Sequence, residues 1–326
     1  MTCDVICLRP EADFARAGVT PPATLKIAYR AHDDPDTPAL VAAARGVVMA
    51  AVGPKLSGSL FEQSSTKIVQ ITGAGVDRLD AAVLKRRGIV VCNVPGGSNA
   101  AVADYAVTAA SVLLRRFAWA DREIRAGNYA SFRGRMMADN LVGLDGLVVG
   151  VVGLGMIGLA AARAYHQRGC TILYFDPAPR DKAAADALGA TSVGLDELLR
   201  RSDVVSLHVP LIPATQGMIG EDQLALMKPG AVLIQGSRGG VVDEAALARH
   251  LSSGRLGGAA VDVYSQEPPT ADNPLFHLER DGANRLLFTP HVAGVTRQAS
   301  AVLFQTAWDN VEAVLTKGAQ PVNRVY

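Results

Sequence analysis

Short apolar runs rich in β-branched residues alternate along this chain with longer stretches whose apolar positions recur at helical spacing. Before Pro95 the runs are "CDVICL" (3–8), "TLKIAY" (24–29), "GVVMAAV" (46–52), "KIVQIT" (67–72) and "GIVVCNV" (88–94). Segments such as 38–45 and 79–87 lie between them with helical spacing. Continuously apolar strands separated by helices predict a parallel sheet covered on both faces.

The pattern changes at Pro95-Gly96-Gly97-Ser98, a turn-rich end to the first unit. Ser98 or Asn99 caps a long Ala/Val/Leu helix of buried character. Residues 127–146 are glycine-rich with little period and read as an irregular arm. A second β/α series follows, with strands expected at Leu147–Val152, Thr171–Phe175, Val204–Leu207, Ala231–Ile234, Gly257–Val261 and Leu286–Phe288. A last helix is expected over residues 297–317. The reading is two α/β domains of similar architecture.

Length and composition agree with two cores, since the chain has 326 residues of which 49% are hydrophobic. The formal charge is +1 with acids and bases interspersed, which argues against nucleic acid or an anionic membrane as partner. Lys85-Arg86-Arg87, just before Gly88, reads as the cationic end of a helix. Cys3 and Cys7 on one strand stand about 13 Å apart, too far for a disulfide. Neither Cys92 nor Cys170 completes a zinc spacing, so reduced thiols and no metal are expected. The acidic N-terminus has no signal-peptide core, and no run of about 18 uncharged apolar residues suggests a membrane span. A cytoplasmic protein is expected.

The strongest local signal is "VVGVVGLGMIGLAAARAYHQRGCTILYFD". Gly153, Gly155 and Gly158 fit G-x-G-x-x-G between an apolar strand and an alanine-rich helix. The first glycine permits the turn, the second admits a pyrophosphate, and the third allows close helix–strand packing. The helix N-terminus offers N–H groups to the phosphates. Asp176 ends the next strand at the separation of a ribose-binding acid. It favours NAD over NADP, although Arg180 is a group able to receive a 2′-phosphate. Further along, "LIQGSRGGVVDEAAL" sets Arg238 at a strand's carboxyl end, suited to a bidentate grip on a carboxylate. "AAVDVYSQEPP" places Asp262 and Glu267 after the next strand, and "LLFTPHVAGVT" places His291 after the one beyond. Strand ends of one parallel sheet converge on one side, so the three chemistries meet.

Together these segments resemble the D-isomer-specific 2-hydroxyacid dehydrogenase family. The resemblance runs through "ITGAGVDRLD" (71–80), "NVPGGSNAAVADYAV" (93–107), "VVGLGMIG" (151–158), "DVVSLHVPLIPATQGMI" (203–219), "MKPGAVLI" (227–234), "SRGGVVDEAAL" (237–247), "VDVYSQEPP" (261–269) and "TPHVAGVT" (289–296). It implies a catalytic set of Arg238, Glu267 and His291. It implies substrate contacts at Gly73, Ala74, Gly75 and Val76, whose backbone would cup a carboxylate, and at Asn99, Arg238 and His291. Cofactor contacts would include Met156, Ile157, Val209, Pro210, Gly236, Ser237 and Arg238, with Asp262 at the nicotinamide carboxamide. The implied fold is a Rossmann NAD-binding domain, 100–293, inserted in a flavodoxin-like substrate domain made of 1–99 and 294–326. Hinges would lie near 99–101 and 291–296. The helix from Asn99 and the arm through residue 146 would carry homodimer contacts between nucleotide domains.

Three positions depart from the family pattern: Gln235 where asparagine is common, Asp104 in "VAD" for "VAE", and Tyr129 where tryptophan often follows "AGN". None removes a catalytic group. The expected reaction is hydride transfer between NAD(H) and C2 of a small 2-keto or 2-hydroxy acid. An alternative on the same scaffold is a formate- or phosphite-type dehydrogenase. Formate enzymes place an asparagine near the position of Asn99 but pair the histidine with glutamine, so Glu267 argues for the hydroxyacid. A second alternative is an NAD-sensing corepressor-like protein, disfavoured by the absence of a basic surface run. Only Lys55 occupies the loop where phosphoglycerate-type relatives tend to have arginine, and no regulatory domain is expected after Tyr326. An unphosphorylated acid is therefore expected.

Overall fold

The β-branched runs form strands of two separate parallel sheets in a computed structural model that describes residues 3–178 and 180–326. Among these residues the chain divides into two units, Met1–Ser98 with Val295–Tyr326, and Asn99–Gly294. The second begins and ends one residue outside the expected limits. No helix among the described residues is long and apolar enough to cross a membrane.

In the first unit, β1 (Val5–Cys7), β2 (Ile27–Tyr29), β3 (Gly46–Met49), β4 (Ile68–Ile71) and β5 (Val90–Cys92) pair in the order β2-β1-β3-β4-β5. This is the flavodoxin-like winding. The helix Arg297–Leu315 returns to this sheet and supplies Phe304 and the fully buried Trp308. Phe14, on the helix Glu11–Ala17, meets their rings at centroid distances of 4.8 and 5.3 Å.

One polar contact inside this apolar face ties the two ends of the chain together. Asn310 donates from Nδ2 to Gln70 Oε1 (2.9 Å) and to the Val322 carbonyl (3.0 Å), while its Oδ1 accepts from Val322 N (2.8 Å). Gln70 has no exposed surface and Asn310 only 2%. Gln70 Nε2 is satisfied locally by the Ile71 carbonyl, whereas its Oε1 accepts from Asn310, which makes the contact selective for the correct seating of the C-terminal helix.

The second unit holds β6 (Val148–Val152), β7 (Thr171–Phe175), β8 (Thr191–Ser192), β9 (Val204–Leu207), β10 (Val232–Gln235), β11 (Gly258–Val261) and β12 (Leu286–Phe288). Their order is β12-β11-β10-β9-β6-β7-β8, all parallel. The winding reverses between β6 and β9, and such a switch point is where open α/β sheets bind ligands. The long helix Asn99–Leu114 packs its alanines into this unit's core.

The arm differs from its expectation. Tyr129–Ala138 is helical and follows another helix, Phe117–Arg125. Gly134 and weak periodicity hid it. What orders it is one buried pair, Phe132 edge-on to Trp119 at 5.3 Å, with the Arg135 guanidinium 4.4 Å over the indole. Packing overrides propensity here.

Replacing Asn310 with leucine orphans Gln70 Oε1 and the Val322 amide. Loss of about 2 kcal/mol of stability is expected, measured by urea denaturation followed through Trp308.

Candidate active site

The glycine loop after β6 is built by close approach. Gly153 has φ +89°, and a Cβ there would stand 2.6 Å from the His208 carbonyl. A Cβ on Gly158 would stand 1.9 Å from the Gly153 carbonyl, so both positions exclude any side chain. Gly155 is different: it faces open space and caps the helix Met156–His166. An open backbone position over the unpaired N–H groups of a helix start suits a pyrophosphate. Val209 and Pro210 follow β9 across the switch point, and Val209 Cγ1 lies 2.9 Å from the Cβ position of Gly153. Residues and space fit a bound dinucleotide.

Asp176, at the end of β7, is 4% exposed. Its Oδ2 accepts from Leu154 N (2.8 Å) and Arg180 Nε (2.7 Å), and its Oδ1 from Ala178 N (2.9 Å). Burial by itself would raise its pKa, but Arg180 and the two amides together bring it below the ordinary aspartate value. Arg180, which the sequence offered as a 2′-phosphate group, is thus paired with the acid.

Gln235, the last residue of β10, organises the arginine loop. Its Oε1 accepts from Ser237 Oγ (2.8 Å), and its Nε2 donates to the Arg238 carbonyl (2.9 Å). The extra methylene relative to asparagine therefore reaches the backbone of the arginine itself. Gly236 lies beside Tyr105 and Ala293. Arg238 Nη1 donates to the Ser237 carbonyl at 2.8 Å. A Cβ on Gly239 would sit 1.7 Å from the Tyr264 carbonyl, so this loop is pressed against the chain that carries Glu267.

Glu267 and His291 are brought together. His291 Nδ1 lies 2.8 Å from Glu267 Oε2 and 3.1 Å from Oε1, and Tyr264 N donates to Oε1 at 3.1 Å. Burial opposes ionisation of Glu267, yet His291, the Tyr264 amide and nearby Arg238 lower its pKa on balance. The carboxylate holds the ring through Nδ1, and Nε2 has no hydrogen-bond partner among the described residues. Glu244 supports the same loop, accepting from Ser265 N (2.7 Å) and Asn273 Nδ2 (2.9 Å).

Asp262, expected at the nicotinamide carboxamide, has no exposed surface. Its carboxylate is engaged by the Thr289 hydroxyl and by the amides of Val292 and Ala293. Tyr105, Thr289 and Gln235 were not singled out as site residues from the sequence. Nothing in spacing marks a tyrosine on a core helix as the partner of a threonine after β12.

The remaining expected residues lie elsewhere. In the first unit, Gly73–Val76 follow β4; the carbonyls of Gly73 and Ala74 accept from Val94 N (2.8 Å) and Asn93 Nδ2 (2.7 Å). Asn99 opens the long helix of the second unit, with its Oδ1 buried and without a partner among the described residues.

Residues 107–293 match the family model described as D-isomer specific 2-hydroxyacid dehydrogenase, NAD binding domain. The chain belongs to the D-isomer-specific 2-hydroxyacid dehydrogenase family. It is 38% identical to the D-3-phosphoglycerate dehydrogenase of Archaeoglobus fulgidus over 72% of this chain, but spans only 42% of that relative's length. With the glycerate dehydrogenase of Methylorubrum extorquens it shares 33% identity, covering 90% of this chain and 91% of the relative. Among solved structures, a D-lactate dehydrogenase from Treponema pallidum superposes with a TM-score of 0.78 at 27% identity, covering 99% of both chains. Members of this family are oxidoreductases, and the cofactor of the matched domain is NAD.

A Gly158→Ala substitution forces the Gly153 carbonyl out of the loop. NADH affinity is expected to fall by about tenfold or more, roughly 1.4 kcal/mol per decade, read by titration of nucleotide fluorescence.

Proposed function

We propose that this protein reversibly reduces a small, unphosphorylated 2-keto acid to the D-2-hydroxy acid, with Arg238, His291 and Glu267 as its working groups. The observation that carries the reading is the short contact between His291 Nδ1 and Glu267 within the unit that bears the dinucleotide loop. Bound NADH supplies the hydride that becomes the C2–H of the product. Arg238 holds the carboxylate or keto oxygen and stabilises the negative charge that grows there. His291 gives the Nε2 proton to that oxygen and recovers one from solvent. Glu267 fixes the ring orientation through Nδ1, which leaves Nε2 to face the substrate. In oxidation the same nitrogen receives the hydroxyl proton.

The reading also assigns Gly73–Val76 to the substrate carboxylate and Asn99 to a further substrate contact. Val209, Pro210, Gly236 and Ser237 are assigned to NAD. Glu267 favours this chemistry over the formate-type alternative, and turnover on a 2-keto acid separates an enzyme from a sensor. A cytoplasmic homodimer completes the proposal. Four unpaired cysteines support a reducing location. Exposed Phe117, Ile124, Tyr129 and Met137 along the two arm helices support an apolar surface covered by a second copy.

The test is an NADH and NADPH oxidation panel over 2-keto acids with Arg238→Ala and His291→Ala beside the unaltered protein. Turnover with NADH on at least one acid is expected, falling by about 100-fold or more in each variant. No turnover on any acid, or full activity in His291→Ala, would overturn the reading. Light scattering at micromolar concentration is expected to give the dimer mass, and Phe117→Glu combined with Met137→Glu the monomer mass.

A further inference from the structure

His291 is one of the few residues other than glycine with positive φ, at +55°. A β-substituted residue holds this left-handed conformation only when neighbouring bonds enforce it. Those bonds come from one residue. The His291 amide donates to the Asp262 carbonyl, the Val292 amide to Oδ1 and the Ala293 amide to Oδ2, each at 2.8 Å. Three successive N–H groups thus converge on Asp262, the first on its carbonyl and the next two on its carboxylate.

A chain of hydroxyls stands behind that carboxylate. Thr289 Oγ1 lies 2.6 Å from Asp262 Oδ1 and must donate to it, because an ionised carboxylate only accepts. Its one proton is then spent, so Tyr105, 2.8 Å away, is the donor in their contact. Burial pushes the Tyr105 pKa up to about 12, so the phenol keeps its proton throughout the working range. Tyr264 fixes the other side of Thr289, donating from its hydroxyl to the Thr289 carbonyl at 2.9 Å. The hydroxyls therefore donate in the order Tyr105 to Thr289 to Asp262, and the same carboxylate accepts the amides of the two residues after His291.

We propose that Tyr105, Thr289 and Asp262 form a positioning relay that holds the His291 turn in its left-handed conformation and so aims Nε2 at the reacting oxygen. The proposal rests on the acid/base role of His291 given above. It adds a role to Asp262 beside the cofactor contact expected from the resemblance. A carboxylate with no exposed surface and three donors already in place is engaged in the turn. Tyr105 projects from the helix Asn99–Leu114, so the relay runs from that helix to the turn after β12 within one unit.

The variants Tyr105→Phe and Thr289→Val each remove one hydroxyl and little else. Thr289→Ser keeps the hydroxyl, and Asp262→Asn turns an amide N–H toward a backbone N–H. Steady-state kinetics are run with the best 2-keto acid, and kcat is expressed per NADH-binding site so that misfolded protein does not count. The expected result is a fall in kcat of about tenfold in Tyr105→Phe and Thr289→Val, the equivalent of one lost hydrogen bond. KM for NADH stays unchanged, Thr289→Ser recovers most of kcat, and Asp262→Asn loses more than either. If kcat per site is unaltered in both Tyr105→Phe and Thr289→Val while His291→Ala is inactive, the relay is wrong and the acid/base reading stands. If KM for NADH rises in Asp262→Asn with kcat intact, Asp262 is a cofactor contact and the relay is wrong. Full activity in His291→Ala would remove the ground for both.

Discussion

The parallel pairing of β10, β11 and β12 is the constraint on which the site depends. In a parallel sheet every strand ends on the same side, and the chain must leave that side before it can return. Registers of Gln235 with Val261 and of Val261 with Phe288 bring three strand ends level. Arg238, Asp262 with Glu267, and His291 each lie within a few residues of one of those ends. Segments far apart in sequence thus become neighbours without any contact between the side chains having to arrange it. The glycine loop belongs to the same edge, because β6 pairs with β9 and β9 with β10.

Close backbone approach then sharpens what the register brings near. Gly158 against the Gly153 carbonyl and Gly239 against the Tyr264 carbonyl leave no room for a methyl group. The first contact sets where the helix begins beneath a pyrophosphate. The second presses the arginine loop onto the strand end that carries the carboxylate partner of the histidine. Gln235 and Glu244 add side-chain hydrogen bonds that hold the two loops from outside. The backbones that carry Arg238 and Glu267 are thereby held close to each other, and a charged site built on fixed backbone keeps its geometry.

The legible part of this molecule is what repeats. Apolar β-branched runs announced the strands because a strand buried on both faces leaves no freedom at alternate positions. The glycine fingerprint was legible because steric exclusion leaves only one residue type. The helix Tyr129–Ala138 was not, since its order comes from Phe132 and Arg135 meeting Trp119, a contact without periodicity. The two-residue β8 was equally silent. At the site, residue types visible in the sequence were legible as chemistry, while the hydroxyls of Tyr105 and Thr289 were not. Hydrogen-bond partners are set by tertiary distance, and a tyrosine in an alanine-rich helix reads only as core. Asp262 was read from its place after β11, and that place is shared by a residue that touches ligand and one that shapes the turn.

Magnitudes show what the Asp262 contacts do for the turn. The left-handed conformation at His291 costs about 1–2 kcal/mol for a residue with a Cβ. Glycine would remove that cost and the imidazole with it, so the turn must be stabilised from elsewhere. Hydrogen bonds to a charged acceptor contribute about 1.5–3 kcal/mol each, and the Asp262 carboxylate receives amides from both residues after His291 and the hydroxyl of Thr289. Even at the low end, two such bonds exceed the strain. A buried carboxylate without those donors would be costly in its own right. Carboxylate and turn therefore satisfy each other: the turn solvates the charge, and the charge fixes the turn that carries the histidine.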